Sequence, residues 1–285
     1  MNRFEIISPK NKDELIYALG KLTSKSKILS GGTDIVIQLS KGEIEPDIVL
    51  DIISCEDLKY IKKINNHIHL GSITTIADIK ESKLINEYAQ CLFKMCQVFG
   101  STQIRNRATI GGNIATSSPA GDSIPVFQVL DAEISILNSK GETKVLPIDE
   151  VVIGPGKNIL NYDEVIIGIQ FPIYERPWRG TFVKLGARRA VTISKLNIAI
   201  NLLYEQDINI ISDIKVALGA VGRTAFRVKN IETEFKGQPL DSHLKYRFSN
   251  LLVDAIEKSI PRRASLPYKR EAIKGVAYEA FSDLF

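Results

Sequence analysis

Two glycine-rich turns constrain this 285-residue chain more than any other feature. One is Ser30-Gly31-Gly32-Thr33-Asp34. The other is Ala108-Thr109-Ile110-Gly111-Gly112-Asn113, about eighty residues further on and closely followed by Ser118-Pro119-Ala120-Gly121-Asp122. Each joins glycines to a hydroxyl residue, a combination suited to a phosphate. Without Cβ atoms the backbone turns sharply and brings successive N–H donors onto an anion, and a Thr hydroxyl adds one more. Two such turns could hold the two halves of one pyrophosphate. Taken singly, each also reads as an ordinary tight turn. Neither carries the Gly-Lys-Ser/Thr of a phosphate loop or the Gly-x-Gly-x-x-Gly of a doubly wound dinucleotide fold, so a pyrophosphate site here is of another kind.

The rest of the chain narrows the classes. With 44% hydrophobic residues it is long enough for a substantial core and for two or more domains. The 37 basic and 33 acidic side chains leave a charge of only +4, and no Lys/Arg block exceeds a pair, so nucleic acid is not an expected partner. No apolar run approaches the roughly twenty residues of a membrane span. Met1-Asn2-Arg3-Phe4-Glu5 has no apolar leader segment, and Cys55, Cys91 and Cys96 are an odd, sparse set. Both features point to reduced thiols in a cytoplasmic protein.

Along the chain, Ser8-Pro9 before Leu15, Ile16, Leu19 and Leu22 predicts a capped amphipathic helix. Lys27 to Leu29 reads as a strand running into the first turn, and Ile35 to Leu39 as a helix whose N-terminus faces whatever the turn holds. Asp47 to Ile53, His67 to Leu70 and Val165 to Phe171 read as strands. Leu84, Tyr88, Leu92, Met95 and Phe99 mark one helix ended by Gly100. Glu133 to Leu137 and Thr143 to Leu146 flank the hairpin signal Asn138-Ser139-Lys140-Gly141. Tyr174 to Gly180 is a turn-rich boundary, after which Thr181 to Ala187, Leu196 to Tyr204 and Ile214 to Leu218 read as strands. Leu244, Phe248, Leu251 and Ala255 align on one final helix, and Ile273, Ala277 and Phe281 on another. Strands first and helices last predict an α+β C-terminal domain.

The run from Phe99 through Arg105-Asn106-Arg107-Ala108-Thr109-Ile110-Gly111-Gly112-Asn113 to Asp122 resembles the flavin-binding subunit of the molybdenum hydroxylases. The first turn, Gly154-Pro155-Gly156-Lys157 and Phe182-Val183-Lys184-Leu185-Gly186-Ala187-Arg188-Arg189 fit the same pattern in order, from about residue 28 to residue 222. The resemblance implies the α+β architecture of the p-cresol methylhydroxylase (PCMH) superfamily. Two α/β subdomains, about 1–55 and 56–175, would make a PCMH-type FAD-binding domain over residues 1–175, followed by an α+β domain of the CO dehydrogenase flavoprotein C-terminal type over 176–285. It implies non-covalent FAD. Leu29, Ser30, Gly31, Gly32, Thr33, Asp34, Ile35 and Val36 would form the first pyrophosphate turn and its flanks, and Thr109, Ile110, Gly111, Gly112 and Asn113 the second. Phe99 would lie beside the adenosine part, Asp122 would accept hydrogen bonds from FAD hydroxyls, Ile166 would give backbone or apolar contact, and Lys184 would stand by the cofactor as a cation.

Plainer readings stand beside these. Phe99 could close its helix into the core, Asp122 could be a turn or N-cap residue, and Lys184 a solvated strand residue. Arg188 and Arg189 could be exposed strand-end arginines or could tune the approach of electron donors and nicotinamide. His67 and His69 share a strand face without a third ligand, and Cys91 and Cys96 share no helix face well, so no metal site is expected.

The implied function is electron transfer. FAD would take electrons from [2Fe-2S] centres of an iron–sulfur subunit and pass them to NAD or another acceptor, while the molybdenum cofactor oxidises substrate on a molybdopterin-binding subunit of the same complex. No catalytic acid or base is expected on this chain. The alternatives are a stand-alone FAD oxidoreductase of the same superfamily and a non-catalytic nucleotide-binding assembly protein.

Overall fold

The computed structural model describes residues 4–285 except Glu175, Pro177 and Arg189, and only the backbone of Ser242. The turn-rich stretch 174–180 therefore has Glu175 and Pro177 outside the described residues. By packing, the chain forms two compact units whose segments alternate along the sequence. The first comprises Met1–Ser82, Ser101–Ser117 and Ala132–Pro172; the second comprises Lys83–Gly100, Ser118–Asp131 and Ile173–Phe285. Among the described residues no helix is long and apolar enough to cross a membrane.

The first unit holds a three-stranded and a five-stranded sheet, besides the two-stranded pair Val152–Gly154 and Lys157–Asn158. A parallel three-stranded sheet places Ile48–Asp51 between Glu5–Ile7 and Lys27–Leu29. The helix Lys12–Leu19 buries Leu15, Ala18 and Leu19 in a cluster with Leu50, Ile52, Leu58 and Ile73. Its cap is Asn11, whose side chain accepts from the Glu14 N–H at 2.9 Å, while the Lys10 N–H donates to the Glu14 carboxylate at 2.8 Å. The Ser8-Pro9 pair lies outside the helix, so the predicted cap is displaced; the Asn–Glu reciprocity satisfies the orphan donors better than Pro9 could.

The second sheet is antiparallel, in the order Ile61–Ile64, His67–Gly71, Glu164–Pro172, Glu133–Asn138 and Thr143–Pro147. Its hairpin turns where the sequence indicated. Asn138 Oδ1 accepts from the Lys140 and Glu142 N–H groups, and Gly141 takes φ +81°, a left-handed value natural to glycine.

The second unit is built on the antiparallel sheet Arg179–Leu185, Leu196–Glu205, Ile210–Gly219 and Phe226–Arg227. Alternation sorts its residues. Leu196, Ile198, Ile200 and Leu202 join Phe235, Phe248 and Phe281 in an apolar cluster formed with the helices Lys229–Phe235, Ser242–Ser259 and Leu266–Leu284. The opposite face, with Asn197, Ala199 and Asn201, meets the helix Ser123–Val129. The buried stripe of Ser242–Ser259 runs Leu244, Phe248, Leu252, Ile256, with the predicted Leu251 and Ala255 at its half-buried edge.

One prediction fails in this unit. The single helix read from Leu84 to Phe99 is two, Lys83–Tyr88 and Gln90–Val98, broken at Ala89 with φ −143° and ψ 61°. The second helix starts against bare backbone: a Cβ on Gly180 would lie 2.6 Å from the Cys91 nitrogen. Docking of that helix start on the strand overrides the helical period. Gly100 follows it at φ +47°, as a C-terminal glycine should.

Candidate cofactor site

The first turn leaves the strand Lys27–Leu29 and enters the short helix Ile35–Ser40. Its two glycines serve different needs. Gly32 has φ +77°, and Gly31 allows close approach, since a Cβ there would lie 2.0 Å from the Arg107 carbonyl oxygen. The backbone leading into the second turn thus crosses directly over Gly31. Ser30 Oγ and Thr109 Oγ1 are 2.9 Å apart, so two turns separated by 79 residues in sequence share a hydroxyl contact in one unit.

The second turn is the start of the helix Ile110–Thr116, with Thr109 as its N-cap. Its donors are spent within the protein. The Ile110 N–H donates to Thr74 O at 3.0 Å, Gly111 to Ser72 O at 2.8 Å, Gly112 to Thr109 Oγ1 at 3.3 Å, and Asn113 to Thr109 O at 3.0 Å. Gly111 is required by that packing, because a Cβ would lie 2.6 Å from Ser72 Cβ. In the first turn, by contrast, the N–H groups of Gly31, Gly32, Thr33 and Asp34 have no hydrogen-bond acceptor among the described residues. Gly31 to Thr33 are half-buried and Asp34 is exposed. A row of successive donors on a glycine turn, beside two hydroxyls, is a cradle for a phosphate. The first turn therefore fits a pyrophosphate as a donor set, and the second, its donors spent, packs against the first.

In the second unit, Asp122 precedes the helix Ser123–Val129 but its side chain does not cap it. The carboxylate instead accepts from Lys184 Nζ at 2.7 Å on Oδ2, and from Ser194 Oγ at 2.6 Å and Asn197 Nδ2 at 3.1 Å on Oδ1. The Lys184 side chain is only 6% exposed, which rules out the solvated-strand reading. Sheet register explains the cluster: Lys184 pairs with Asn197, which pairs with Gly219 on the next strand. Gly219 makes the room, since a Cβ there would lie 2.2 Å from Asn197 Oδ1. A buried ion pair of this kind is costly to desolvate and is held by the additional hydrogen bonds to its oxygens.

The remaining predicted residues are spread more widely. Phe99 is half-buried at the end of Gln90–Val98, so it does pack at its helix end. Ile166 is buried in the central strand Glu164–Pro172, next to a register shift before Gly168. Leu29 and Ile35 are half-buried and Val36 is half exposed. Arg188 turns back on its own loop, its Nε donating to Val191 O at 2.8 Å; Arg189 lies outside the described residues.

Sequence reasoning missed Ser194 and Asn197. The available signal was an Asn inside the apolar run Leu196 to Tyr204, which requires a buried polar partner. It also missed the Ser72 and Thr74 carbonyls, for which no local pattern exists.

His67 and His69 sit with ring centroids 6.3 Å apart, and burial together with the neighbouring His67 lowers the pKa of His69. All three cysteines are buried, and burial pushes the Cys91 thiol up to about 12 and the Cys55 thiol up to about 11. Among the described residues no group of three or more His, Cys, Asp and Glu side chains is placed to hold a metal ion.

Comparison with known proteins matches residues 2–174 to the FAD binding domain in molybdopterin dehydrogenase and residues 181–284 to the CO dehydrogenase flavoprotein C-terminal domain. The chain is 31% identical to the nicotinate dehydrogenase FAD-subunit of Eubacterium barkeri, covering 100% of this chain and 97% of that protein. It is 24% identical to the carbon monoxide dehydrogenase medium chain of Hydrogenophaga pseudoflava, over 94% of this chain and 92% of that one. In structure it is similar to a chain of the carbon monoxide dehydrogenase from Hydrogenophaga pseudoflava, with TM-score 0.90, 23% identity, and coverage of 99% and 97%. A chain of quinoline 2-oxidoreductase from Pseudomonas putida 86 gives TM-score 0.89 at 19% identity, with coverage of 99% and 96%. With its glycine-turn cradle, its α+β C-terminal sheet and these matches along its length, the chain belongs to the family of FAD-binding subunits of the molybdenum hydroxylases, a family of oxidoreductase flavoproteins.

Proposed function

We propose that this chain is the electron-transfer subunit of a molybdenum hydroxylase complex, carrying FAD and working beside an iron–sulfur subunit and a molybdopterin-binding subunit. The observation that carries this reading is the first glycine turn, with four successive N–H donors that have no acceptor among the described residues, beside the Ser30 and Thr109 hydroxyls. When bound, FAD supplies a redox-active ring that can take electrons from iron–sulfur centres and hand them to NAD or another acceptor.

The chain's own residues bind and orient. The Gly31 to Asp34 N–H groups take the phosphate charge, and the Ser30–Thr109 hydroxyl pair, in which one hydroxyl donates to the other, leaves one hydroxyl proton as a further donor. Asp122 accepts from a cofactor hydroxyl, and Lys184 adds a buried cation beside that carboxylate. Phe99 offers a ring face for the adenosine part. The donors are fixed by backbone geometry rather than by mobile side chains, which lowers the ordering cost of binding. No side chain among the predicted site residues is needed to move a proton. The polypeptide domains are proposed to divide at residues 175 and 176, and the chain to work in the cytoplasm.

The test is purification of the native assembly, with flavin and iron–sulfur absorption recorded and NAD, oxygen and quinones compared as acceptors. Flavin and iron–sulfur signals in one complex, with electrons reaching an acceptor only when FAD is present, are expected. A chain that turns over a small substrate alone, or one that never takes up FAD, overturns the reading.

A further inference from the structure

An ionised carboxylate offers about four lone-pair sites. On Asp122, Oδ1 accepts from both Ser194 and Asn197, and Oδ2 accepts from Lys184, so among the described residues one Oδ2 site remains. The two donors on Oδ1 fix the rotation of the carboxylate about its Cβ–Cγ bond. Both are rigidly held. Asn197 is fully buried and stands in the cross-strand row Lys184, Asn197, Gly219. Ser194 is 5% exposed, and its neighbour Lys195 donates its N–H to Leu185 O at 2.8 Å, extending the pairing of the two strands. Further out on the same connection, the Ala187 N–H donates to Thr192 Oγ1 at 3.0 Å. These bonds brace the stem on which Ser194 stands.

We propose that Ser194 and Asn197 are positioning residues for FAD binding, locking the Asp122 carboxylate so that its one remaining Oδ2 site faces a cofactor hydroxyl. This rests on the reading of Asp122 as a cofactor contact. Lys184 neutralises the charge, but a lysine ammonium is a rotating point donor and cannot set the orientation of the group it pairs with. The hydroxyl and the amide do that. The arrangement places one support, Asn197, on a strand and the other, Ser194, on the braced connection just before it, around a group that must meet its ligand within a narrow angle.

The experiment measures FAD dissociation from the full chain by flavin fluorescence, for wild type, Ser194→Ala, Ser194→Thr, Asp122→Asn and the double variant Ser194→Ala/Asp122→Asn. A hydrogen bond to a charged group is lost in Ser194→Ala, and FAD affinity is expected to fall about tenfold. Ser194→Thr keeps the hydroxyl and stays within about twofold of wild type on the same argument. Because Ser194 acts through Asp122, the double variant binds no more weakly than Asp122→Asn alone, a non-additivity that a merely structural loss does not produce. Wild-type affinity in Ser194→Ala, or losses that add in the double variant, overturns the positioning role while the wider function stands. A wild-type chain that takes up no FAD overturns both.

Discussion

The two glycine turns look alike in sequence and do opposite work in the structure. In the first, four successive N–H groups have no acceptor among the described residues; in the second, four successive N–H groups are bonded to Thr74, Ser72 and Thr109. A Gly-Gly-hydroxyl pattern reports that the backbone can turn tightly or be approached closely. Which of the two uses a given turn serves depends on the acceptors that the fold brings to it. The first turn is open to a ligand, and the second is a packed helix start that holds the first in place through Arg107 and Thr109.

Substitutions can break that comparison or sharpen it. The largest effect is expected for Gly31→Ala, whose Cβ would lie 2.0 Å from a backbone oxygen that cannot swing away. It should cost about 3 kcal/mol of stability and abolish FAD uptake, read by denaturant melts and by flavin absorbance after reconstitution. Retention of both would remove the close approach as the reason for this glycine. Gly32→Ala comes next. Its φ of +77° makes alanine unfavourable by about 1 kcal/mol, and the turn relaxes by redirecting its own donors. FAD affinity should fall more than stability does, about tenfold for each 1.4 kcal/mol of lost binding.

Thr109→Ala should show the reverse pattern. It removes the cap of the Ile110–Thr116 helix and the contact to Ser30, costing about 1 kcal/mol of stability of the FAD-free chain. FAD affinity should change less than in Gly32→Ala. Equal losses of affinity in the two variants would show that both turns grip the phosphates.

The smallest effect concerns pH and the scaffold under the second turn. Thr75 bridges to Thr109, and the Ile76 N–H donates to Ala108 O at 3.0 Å. Asp78 holds Thr75 in a capping box, accepting from its hydroxyl at 2.8 Å, and lies 3.2 Å from Lys59. Burial raises the Asp78 pKa, but the bonds from Thr75 and Lys59 outweigh it and hold the carboxyl below its ordinary value. Its contribution is therefore complete above the unfolded-chain value of about 4 and is lost as pH falls through the lower folded value. Because the group is partly exposed, the loss should be a few tenths of a kcal/mol. Comparing Asp78→Asn with wild type from about pH 2 to about 6 should show the full difference above about pH 4, shrinking below that as pH falls through the lower folded value. A gap that persists unchanged at the acid end would place the effect elsewhere.

Local signals were legible where local chemistry decides the outcome. The hairpin at Asn138 to Gly141, the strand before the first turn and the C-terminal strands followed by helices all follow from period and turn residues. The break at Ala89 was not, because a helical stripe continues across it and only the bare backbone of Gly180 explains where the second helix begins. The same limit applies to the site. Asp122 and Lys184 could each be named as a charge beside the cofactor, but their ion pair and the bonds from Ser194 and Asn197 follow from the sheet, whose register sets Lys184 opposite Asn197. The alternation of the two units' segments along the sequence is likewise set by packing; only its last boundary, between Pro172 and Ile173, lies beside a turn-rich stretch.

The depth at which the cysteines lie has a chemical consequence. With Cys91 pushed up to about 12 by burial, its thiolate fraction at neutral pH is on the order of 10⁻⁵. Peroxide attacks the thiolate, not the thiol. A chain proposed to pass electrons to an acceptor thus holds Cys91 as the thiol, the form that stray peroxide oxidises slowly.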